Sequence, residues 1–259
     1  MKVVINADDF GHDASTSDAI MQAFCSGYIT QATLMTNMLD CERAANEAKA
    51  AGFGGRIGLH INITDGIPLT EPIRSSRAFC DSSGKFDGSA VLRKRHFLPY
   101  PISDASALAI EIEAQVKKYI SLGLTLLHAD SHHHAHTRLP IARVVMPILA
   151  KYGFRSVRRP YSHNLPMSIG GQLRRLRSHL FLREARKSKL IVARGFGGAL
   201  YSSCTMLSET NFEIMVHPRF YGGLLVDTSD FDTGRGRELV ECVAFLKSLG
   251  ADFVTYRNL

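Results

Sequence analysis

Carboxylate and imidazole side chains are concentrated at four places in this 259-residue sequence. Each place directly follows an apolar run that is typical of a β-strand. The four groups are Asp8 with Asp9, His60 with Asn62, Asp130 through His136, and His217. In parallel α/β folds, the carboxyl ends of the strands and the loops that follow them converge at one edge, where sites assemble. The sequence therefore predicts that these side chains meet in one polar site.

Histidines are densest between His128 and His136, where five of the eleven histidines fall within nine residues. If this segment is extended, one face carries Asp130, His132, His134 and His136, and the other carries His133. Imidazole is the commonest side-chain metal ligand at neutral pH, and Asp130 or His134 could fix the tautomer of a metal-bound imidazole. A solvated polar loop is the alternative. We favour a metal site because the run directly follows an apolar strand.

Asp8 and Asp9 are adjacent carboxylates at the end of the strand predicted at residues 3–5. Two carboxylates so close together repel one another unless a cation or a proton relieves them. An aspartate here could instead cap the following helix, but Asp13 and Ser15 lie nearer to the predicted start of that helix. The pair therefore predicts a cation site.

His60 alone would be weak evidence, because a single histidine at a strand end more often makes a structural hydrogen bond. Its weight comes from the other groups, since one carboxylate and two imidazoles form a facial triad that leaves positions open for water and substrate. Asn62 lies two residues further along the same face and is expected to orient substrate. His217 ends an apolar run, and Pro218 stops the strand there. His217 could be a further ligand, a general acid or a structural residue.

Predicted strands and helices alternate along nearly the whole chain. Strands are predicted at residues 3–5, 32–35, 56–63, 125–131, 156–158, 190–193, 213–216 and 253–256, and helices at 15–25, 41–50, 105–121, 141–151, 169–180 and 237–249. This alternation indicates an α/β fold with a mostly parallel sheet and helices outside it. We expect a single domain, residues 1–259, with a closed or partly closed barrel. No GxGxxG follows the first strand, which argues against dinucleotide binding.

Residues 65–102 interrupt this alternation with four prolines, interspersed glycines and little helical periodicity. Long loops in compact domains are often functional. We therefore interpret this segment as an excursion from the core that forms a lid or a substrate-facing loop.

The composition is that of an ordinary globular protein, with 45% hydrophobic and 21% charged residues. No apolar run approaches the ~20 residues that span a bilayer. The first residues become acidic where a signal peptide would continue its apolar stretch, so a cytoplasmic protein is expected. The five cysteines are scattered without CxxC spacing, which argues against a disulfide framework and against a thiolate zinc site.

The net charge of +7 is uneven, because residues 155–194 contain eleven Lys or Arg residues and one acid, Glu184. This basic block suits an anionic substrate, a membrane surface or nucleic acid, although no nucleic-acid motif accompanies it. Within it, apolar residues recur at helical spacing among arginines at Ile169, Leu173, Leu176 and Leu180. Such a helix can lie on the inner face of an anionic membrane, through residues 169–190. We favour an outer helix of the barrel, and a homodimer stays open.

The four polar groups together resemble the motifs of the YdjC-like carbohydrate deacetylases. The matching segments are Asn6-Ala7-Asp8-Asp9-Phe10-Gly11, Gly58-Leu59-His60-Ile61-Asn62-Ile63-Thr64, Asp130-Ser131-His132-His133-His134-Ala135-His136 and His217-Pro218. The resemblance implies a distorted, TIM-like (β/α) barrel similar to that of polysaccharide deacetylases. It also implies that a metal ion is bound by Asp9, His60 and His132. Asp8 would then be the general base and His217 the general acid.

The activity implied by this resemblance is removal of the N-acetyl group from an acetylated amino sugar, on an oligosaccharide or a lipid-linked glycan, with release of acetate. Magnesium is the ion associated with the family, although two imidazoles ordinarily prefer zinc, manganese or cobalt. Residues 70–98 and 160–212 match no motif, so the resemblance does not extend to the acceptor. Two other functions fit the residues: a metal-dependent phosphoesterase, and a non-enzymatic binder of anionic glycan or nucleic acid through residues 155–194.

Overall fold

The computed structural model describes residues 1–93, 98–161, 169–198, 210–228 and 237–259. Parts of two predicted features lie outside the described residues, namely 94–97 of the predicted loop and 162–168 of the basic block, as does Cys204. Among the described residues, no helix is both long enough and apolar enough to cross a membrane.

Seven parallel strands of the described chain form a partly closed barrel. They are β1 (Lys2–Phe10), β2 (Gln31–Leu34), β3 (Ile57–Ile61), β4 (His128–Ser131), β5 (Ser156–Val157), β6 (Gly195–Gly198) and β7 (Asn211–Val216), in the order β5-β4-β3-β2-β1-β7-β6. Ile191, which lies four residues before β6, makes an isolated parallel bridge with Ser156 of β5. A further strand, β11 (Asp252–Phe253), pairs with the start of β1. The predicted distorted (β/α) barrel is confirmed.

Alternation along β1 separates the barrel interior from the surrounding helices. The odd-numbered residues 3–7 pack in the main apolar core, whereas Val4 belongs to a separate small cluster with Tyr256. Asn6 and Asp8 lie on the same face as Val4, because residues two apart in a strand share a face. The interior is therefore apolar where β1 begins and polar where it ends.

Helices connect the strands and cover the barrel. They are α1 (Ala14–Cys25), α2 (Cys41–Ala50), α3 (Glu71–Arg74), α4 (Gly88–Leu92), α5 (Ile102–Ser121), α6 (Leu139–Lys151), α7 (Ile169–Lys187) and α8 (Leu239–Ser248). Asp13 caps α1 by accepting a hydrogen bond from Thr16 N at 2.9 Å, and Gly27 follows its end with φ of 69°. The six predicted helices are confirmed, although α7 continues beyond the predicted residue 180.

The segment 65–102 contains more structure than the sequence indicated. It holds α3 and α4 and buries Phe79 and Val91 in the main core. Glu111 of α5 fixes its path by accepting a hydrogen bond from Thr70 N at 2.9 Å. The expectation of little helical structure was wrong, because helices of four or five residues are too short to give a periodic signal. A role as a lid stays a prediction.

Two strand predictions near the end of the chain were misplaced. The strand predicted at 190–193 contributes a single bridge, and the regular strand is the glycine-rich β6. A Cβ on Gly195 would lie 2.1 Å from the Phe212 ring. Glycine is therefore required for this close approach, although it is disfavoured in strands in general. The strand predicted at 253–256 is reduced to β11, because a 3-10 turn begins at Tyr256.

A small antiparallel sheet, which the sequence did not indicate, follows β7. It consists of β8 (Pro218–Tyr221), β9 (Leu224–Asp227) and β10 (Arg237–Glu238). Pro218 ends the parallel strand as predicted and also opens β8, a position that tolerates the missing N–H. Asp227 Oδ1 accepts a hydrogen bond from His217 N at 2.8 Å. The second sheet therefore fixes the backbone of a predicted site residue.

Helix α7 packs against α6 on the outside of the barrel. Phe181 and Ala185 are buried, whereas Leu173 and Leu176 are 47% and 48% exposed. The second half of α7 is thus an outer helix of the barrel, as expected. Membrane contact through residues 169–190 stays a prediction.

Candidate metal centre

The end of β1 is irregular where it carries two adjacent aspartates. The register between β1 and β2 shifts between Ala7 and Phe10, and Asp9 has φ of 67°. Successive side chains of a regular strand point to opposite faces, whereas a bulge re-aims one of them. Both carboxylates consequently reach His60: an oxygen of Asp9 lies 3.2 Å from Nε2, and an oxygen of Asp8 lies within 4.8 Å of a ring nitrogen.

The three predicted metal ligands converge at this point. Asp9 Oδ1 lies 2.9 Å from His132 Nδ1 and 3.2 Å from His60 Nε2. Ligand atoms of the three residues all lie within 4.8 Å of one another. One carboxylate and two imidazoles form a donor set suited to a divalent transition metal. The structure therefore brings together the residues that the sequence assigned to one cation.

The hydrogen bonding of His60 shows why a cation fits this cluster. Its Nδ1 lies 2.6 Å from Asp130 Oδ1, and an ionised carboxylate can only accept, so Nδ1 carries the hydrogen. The opposite nitrogen, Nε2, is buried and has no hydrogen-bond partner within the described chain. In the neutral ring it presents a lone pair to Asp9, which is unfavourable unless a cation lies between them. A divalent metal ion satisfies this arrangement.

A proton can take the place of the metal ion at the same nitrogen. Burial alone would lower the pKa of His60, but the carboxylates of Asp130 and Asp9 raise it to about 10. Burial would likewise raise the pKa of Asp9, yet the neighbouring rings of His132 and His60 hold that pKa well below its usual range. Because metal and proton compete for one lone pair, metal affinity should increase with pH.

A sharp turn after β4 brings His132 to Asp9. The strand ends at Ser131, and a 3-10 segment, His132–Thr137, follows directly. His133 and His134 have φ of 51° and 52°, a left-handed conformation that costs about 1–3 kcal/mol for a residue with a side chain. The expectation of an extended segment with alternating faces is therefore wrong. The turn instead directs His132 inward and leaves His133 exposed.

A buried arginine holds Asp8. Arg158 donates from Nη1 to Asp8 Oδ2 and from Nη2 to Oδ1, each at 2.6 Å. Asn6 Nδ2 also donates to Oδ1, at 2.7 Å. Of the two oxygens, Oδ2 accepts only one of these three bonds and keeps a lone pair. The predicted general base is thus fixed in orientation, and its Oδ2 can accept a further hydrogen bond.

The guanidinium of Arg158 contacts three carboxylates in all. Nη2 lies 2.7 Å from Asp130 Oδ2, and Nε donates to Glu213 Oε1 at 2.7 Å. Tyr256 donates its hydroxyl hydrogen to Glu213 Oε2 at 2.6 Å. Burial raises the pKa of Glu213 to about 7, although Arg158 pulls it down. Glu213 can therefore be neutral near pH 7, which leaves one guanidinium to compensate Asp8 and Asp130.

His217 and Asn62 lie at different distances from this centre. His217 Nε2 is 3.9 Å from Asp9 Oδ2, and its side chain is 26% exposed. It therefore borders the cluster at Asp9 Oδ2, whereas the two imidazoles lie close to Asp9 Oδ1. Asn62 is buried and organises the loop after β3, where its Oδ1 accepts hydrogen bonds from Thr64 N and Asp65 N at 3.1 Å. Contact of Asn62 with substrate stays a prediction.

The remaining histidines of the cluster are structural neighbours of the centre. His136 Nε2 lies 2.9 Å from the carbonyl oxygen of Arg158, and burial lowers the pKa of His136 to about 4. His134 packs edge-on against the rings of Tyr161 and Phe196, with centroids 5.1 and 5.5 Å away. As anticipated, Asp130 fixes the tautomer of an imidazole at this site, which is the ring of His60.

Sequence reasoning missed the importance of Arg158 and Glu213. The pattern assigns Arg158 only to the basic block and Glu213 only to a predicted strand. A signal was nevertheless present, because carboxylates at the ends of neighbouring strands need a buried cation. Arg158 ends the strand predicted at 156–158, next to the strand that carries Asp130. Glu213 interrupts an apolar strand, which is unusual unless the carboxyl group has a partner.

His128 provides a testable pH dependence of stability. Its ring stacks on Tyr256 with centroids 3.7 Å apart, and burial lowers its pKa to about 3. The unfolded chain takes up a proton near pH ~6.5 that the folded protein cannot, so stability is lost as the pH falls from there. His128→Phe keeps a stacked ring and should reduce the slope of unfolding free energy against pH by about 1.4 kcal/mol per unit around pH 5.

Urea unfolding of the metal-free protein at several pH values between 4.5 and 7 measures this slope. His179→Phe is the control, because His179 is exposed on α7 and its replacement should leave the slope unchanged. Equal slopes for wild type and His128→Phe would show that the buried imidazole is not the group responsible.

The fold and the centre together define an α/β barrel with a carboxylate and two imidazoles at the carboxyl ends of its strands. The chain belongs to the YdjC-like protein family, whose sequence profile matches residues 2–240. The four motifs that suggested this family all lie within the matched range.

Individual relatives agree with the family assignment. A carbohydrate deacetylase from Vibrio cholerae serotype O1 is 37% identical over 153 residues, which cover 59% of this chain and 56% of that protein. The match thus spans little more than half of that relative. A carbohydrate deacetylase from Clostridium beijerinckii is 25% identical over the full length of both chains. A crystal structure of a "putative cellobiose-phosphate cleavage protein" from Enterococcus faecalis V583 superposes with a TM-score of 0.71 at 20% identity, covering 99% and 98% of the two chains. This last likeness supports the fold alone.

Proposed function

We propose that this protein is a metal-dependent hydrolase that removes the N-acetyl group from an acetylated amino sugar and releases acetate. The observation that carries the proposal is the meeting of Asp9, His60 and His132 around one point, with Asp8 and His217 beside it. Membership of the YdjC-like family and the names of the relatives, which are carbohydrate deacetylases, support it.

The ion would be held by one carboxylate oxygen of Asp9 and one ring nitrogen each of His60 and His132. When bound, a divalent cation supplies a Lewis acid that polarises a carbonyl group and makes a nearby water molecule more acidic. Two imidazoles favour zinc, manganese or cobalt, whereas the family resemblance favours magnesium. Metal analysis of the purified protein decides between them.

Asp8 and His217 would move the protons of the reaction. Asp8 Oδ2, held by Arg158, accepts a proton from the water molecule that attacks the acetamide carbon. His217 donates a proton to the sugar nitrogen as the C–N bond breaks, and its partial exposure allows it to be reprotonated from solvent. Positioned acid and base groups contribute about 10²–10⁴-fold to rate.

Phosphoester hydrolysis is the main alternative, since acids and histidines around a metal serve that reaction too. Many phosphoesterases use two metal ions about 3.5–4 Å apart, and so need a second ligand set. The other acid–histidine groups of the described residues include Asp8, Asp130 and Glu213, and these carboxylates contact Arg158 instead. A single ion beside a general base favours acyl hydrolysis.

Replacing His132 with alanine should abolish tight metal binding. Loss of a hydrogen-bond partner of a metal ligand weakens metal affinity by about 10–100-fold. Loss of one of the three ligands themselves is expected to weaken it further. The purified variant and wild type are loaded with zinc, manganese, cobalt or magnesium, passed through a desalting column and assayed for bound metal. Acetate release from N-acetylglucosamine oligomers should fall in parallel.

His133→Ala is the matched control, because His133 is the exposed neighbour in the same turn and should leave metal retention unchanged. Full metal retention by His132→Ala would refute the ligand set. Release of phosphate from phosphoesters, without release of acetate from acetylated sugars, would refute the deacetylase assignment and favour the alternative.

A further inference from the structure

One end of the barrel exposes a group of large apolar side chains around the candidate metal centre. They are Leu39, Ile67, Leu173, Leu176, Tyr221 and Leu224, each at least 47% exposed, and we call this group the apolar rim. Each lies on a segment that follows the carboxyl end of a parallel strand, namely β2, β3, β5 or β7. Because those ends meet at one edge of the barrel, the rim and the metal centre share that edge. Large apolar side chains gathered on one part of a surface mark an interaction site, whereas single ones are common.

Two parts of the apolar rim are connected directly to segments that build the candidate metal centre. Asn37 Nδ2 donates to the carbonyl oxygen of Ile67 at 3.2 Å, which joins the loop after β2 to the loop after β3. Leu39 lies two residues beyond Asn37 on the first of these loops. The two rim residues of the β8–β9 hairpin are paired across its tip, and the first strand of this hairpin directly follows His217. These parts of the rim therefore border the entrance to the centre.

The first turns of α7 bring positive charge to the same edge. Residues 172–176 are all exposed, and since they exceed one helical turn of 3.6 residues, this part of the helix projects from the body of the protein. Arg174 and Arg177 line a cavity of about 230 Å³ together with Thr137, the last residue of the turn that begins at His132. This end of α7 therefore lies beside the metal centre. Between residues 169 and 182, α7 contains three arginines and no acid.

Exposed apolar side chains interspersed with arginines are the combination that binds an anionic lipid surface. The apolar groups enter the boundary between headgroups and acyl chains, to a depth of about 5–10 Å, while the arginines stay with the lipid phosphates. The acids nearest to the rim in the sequence already have partners within the protein. Asp40 Oδ1 lies 2.6 Å from Arg43 Nε, and Asp65 Oδ2 lies 3.1 Å from His12 Nε2. The charge of this edge is therefore complementary to an anionic membrane.

The distribution of the apolar rim favours a membrane over a protein partner. Its residues are carried by four separate segments around an opening, not by one continuous face. A stable protein–protein interface needs a contiguous area of about 800 Å² on each partner with close shape complementarity. A fluid lipid surface accommodates separate points of insertion, since lipids rearrange around each of them.

We propose that the apolar rim, together with Arg174 and Arg175 of α7, is a docking surface for an anionic phospholipid membrane. In this orientation the entrance to the candidate metal centre faces the lipid headgroups. The surface extends beyond the helix at residues 169–190 that the sequence indicated, because it includes Leu39, Ile67 and the tip of the β8–β9 hairpin. These additions lie on loops and a hairpin, which carry no helical periodicity. The proposal does not depend on the reaction that the centre catalyses.

Membrane binding is measured by flotation of the metal-loaded protein with vesicles of phosphatidylcholine alone and with vesicles that also contain phosphatidylglycerol. Wild type should float with the anionic vesicles at low salt and less at high salt, because salt screens the attraction between arginines and lipid phosphates. Leu39→Ser and Leu173→Ser should each weaken partitioning by about 10-fold, since each removes a large apolar side chain from the lipid boundary. Arg174→Gln should weaken partitioning to the anionic vesicles by about 5-fold.

Ile120→Ser is the matched control, because Ile120 is exposed in the last turn of α5, close to the amino end of β4 and thus at the opposite end of the barrel. It should bind vesicles as wild type does, and equal melting temperatures verify that all variants are folded. Absence of flotation at low salt, or equal weakening by Ile120→Ser and Leu39→Ser, would overturn the proposal. Sedimentation velocity without lipid tests the rival occupant. A dimer that Leu39→Ser and Leu173→Ser dissociate, in a protein that does not bind vesicles, would assign the rim to a second copy of the chain and overturn the membrane.

Discussion

Asp8→Asn is expected to lower kcat by about 10²–10⁴-fold, the contribution of a positioned general base, while the metal ion stays bound. Asparagine keeps the shape of aspartate but cannot accept a proton from water at neutral pH. The ligand set of Asp9, His60 and His132 does not include the replaced carboxylate. Activity and metal binding should therefore separate in this variant, whereas in His132→Ala they fall together.

The measurement combines steady-state acetate release with metal content and melting temperature. Asp8→Asn also removes one carboxylate from Arg158, so part of any loss could come from a disturbed guanidinium. Glu213→Gln is the matched control, because it removes a different carboxylate from contact with Arg158 and leaves Asp8 in place. Glu213→Gln should retain most of its activity. A fully active, metal-loaded Asp8→Asn protein would remove Asp8 from the mechanism.

Much of the candidate metal centre could be predicted, because the sequence features that indicate it are local. Strand periodicity placed β1, β3 and β4, and the polar residues that follow them had to lie at one edge of a parallel sheet. The groups that contain Asp9, His60 and His132 were therefore identifiable without knowledge of any distance, and the resemblance to the family selected these three residues within them. The helix predicted at 41–50 has the bounds of α2 for a similar reason, since a regular apolar stripe closed by glycine is contained in a single segment.

What could not be predicted depends on contacts between distant segments. The bulge at Asp9 appears only in the register of β1 against β2, and nothing in the motif itself reports a positive φ. The strand β6 was misplaced because glycines are unfavourable for strands in general, and Gly195 is required here only because Phe212 packs closely against it. In the sequence, Arg158 is part of the basic block at residues 155–194. In the structure, its guanidinium contacts three carboxylates. Because Arg158 is buried, its charge compensates internal carboxylates and is not presented at the surface. That burial depends on the whole fold.

The candidate centre therefore offers two cation positions that differ in what can occupy them. The outer one, between Asp9 and the imidazoles, suits a metal ion that can be exchanged or replaced by a proton. The inner one is filled permanently by the guanidinium of Arg158, which is fully buried. Asp130 connects them, because it accepts from His60 Nδ1 and contacts Arg158 Nη2. A change at the inner cation should consequently alter the orientation of the metal ligand as well as that of Asp8.

Arg158→Gln is accordingly expected to lower the free energy of unfolding by about 3–5 kcal/mol, the cost of leaving buried partners of an ion pair uncompensated. Arg158→Lys should recover little of this loss, because one ammonium group cannot replace a fork that contacts Asp8 and Glu213 in different directions.

Urea unfolding at pH 5 and pH 8 measures the loss of unfolding free energy. Arg155→Gln is the control, because Arg155 is exposed and lies three residues before Arg158. Its unfolding free energy should change by no more than about 0.5 kcal/mol. Without the guanidinium, the carboxylates of the folded state hold protons that the unfolded chain releases, so their folded pKa values lie above the unfolded ones. The variant should therefore lose more stability at pH 8 than at pH 5. An Arg158→Gln protein as stable as wild type at pH 8 would mean that the carboxylates do not depend on this cation, and the account of Asp8 as an oriented base would lose its physical support.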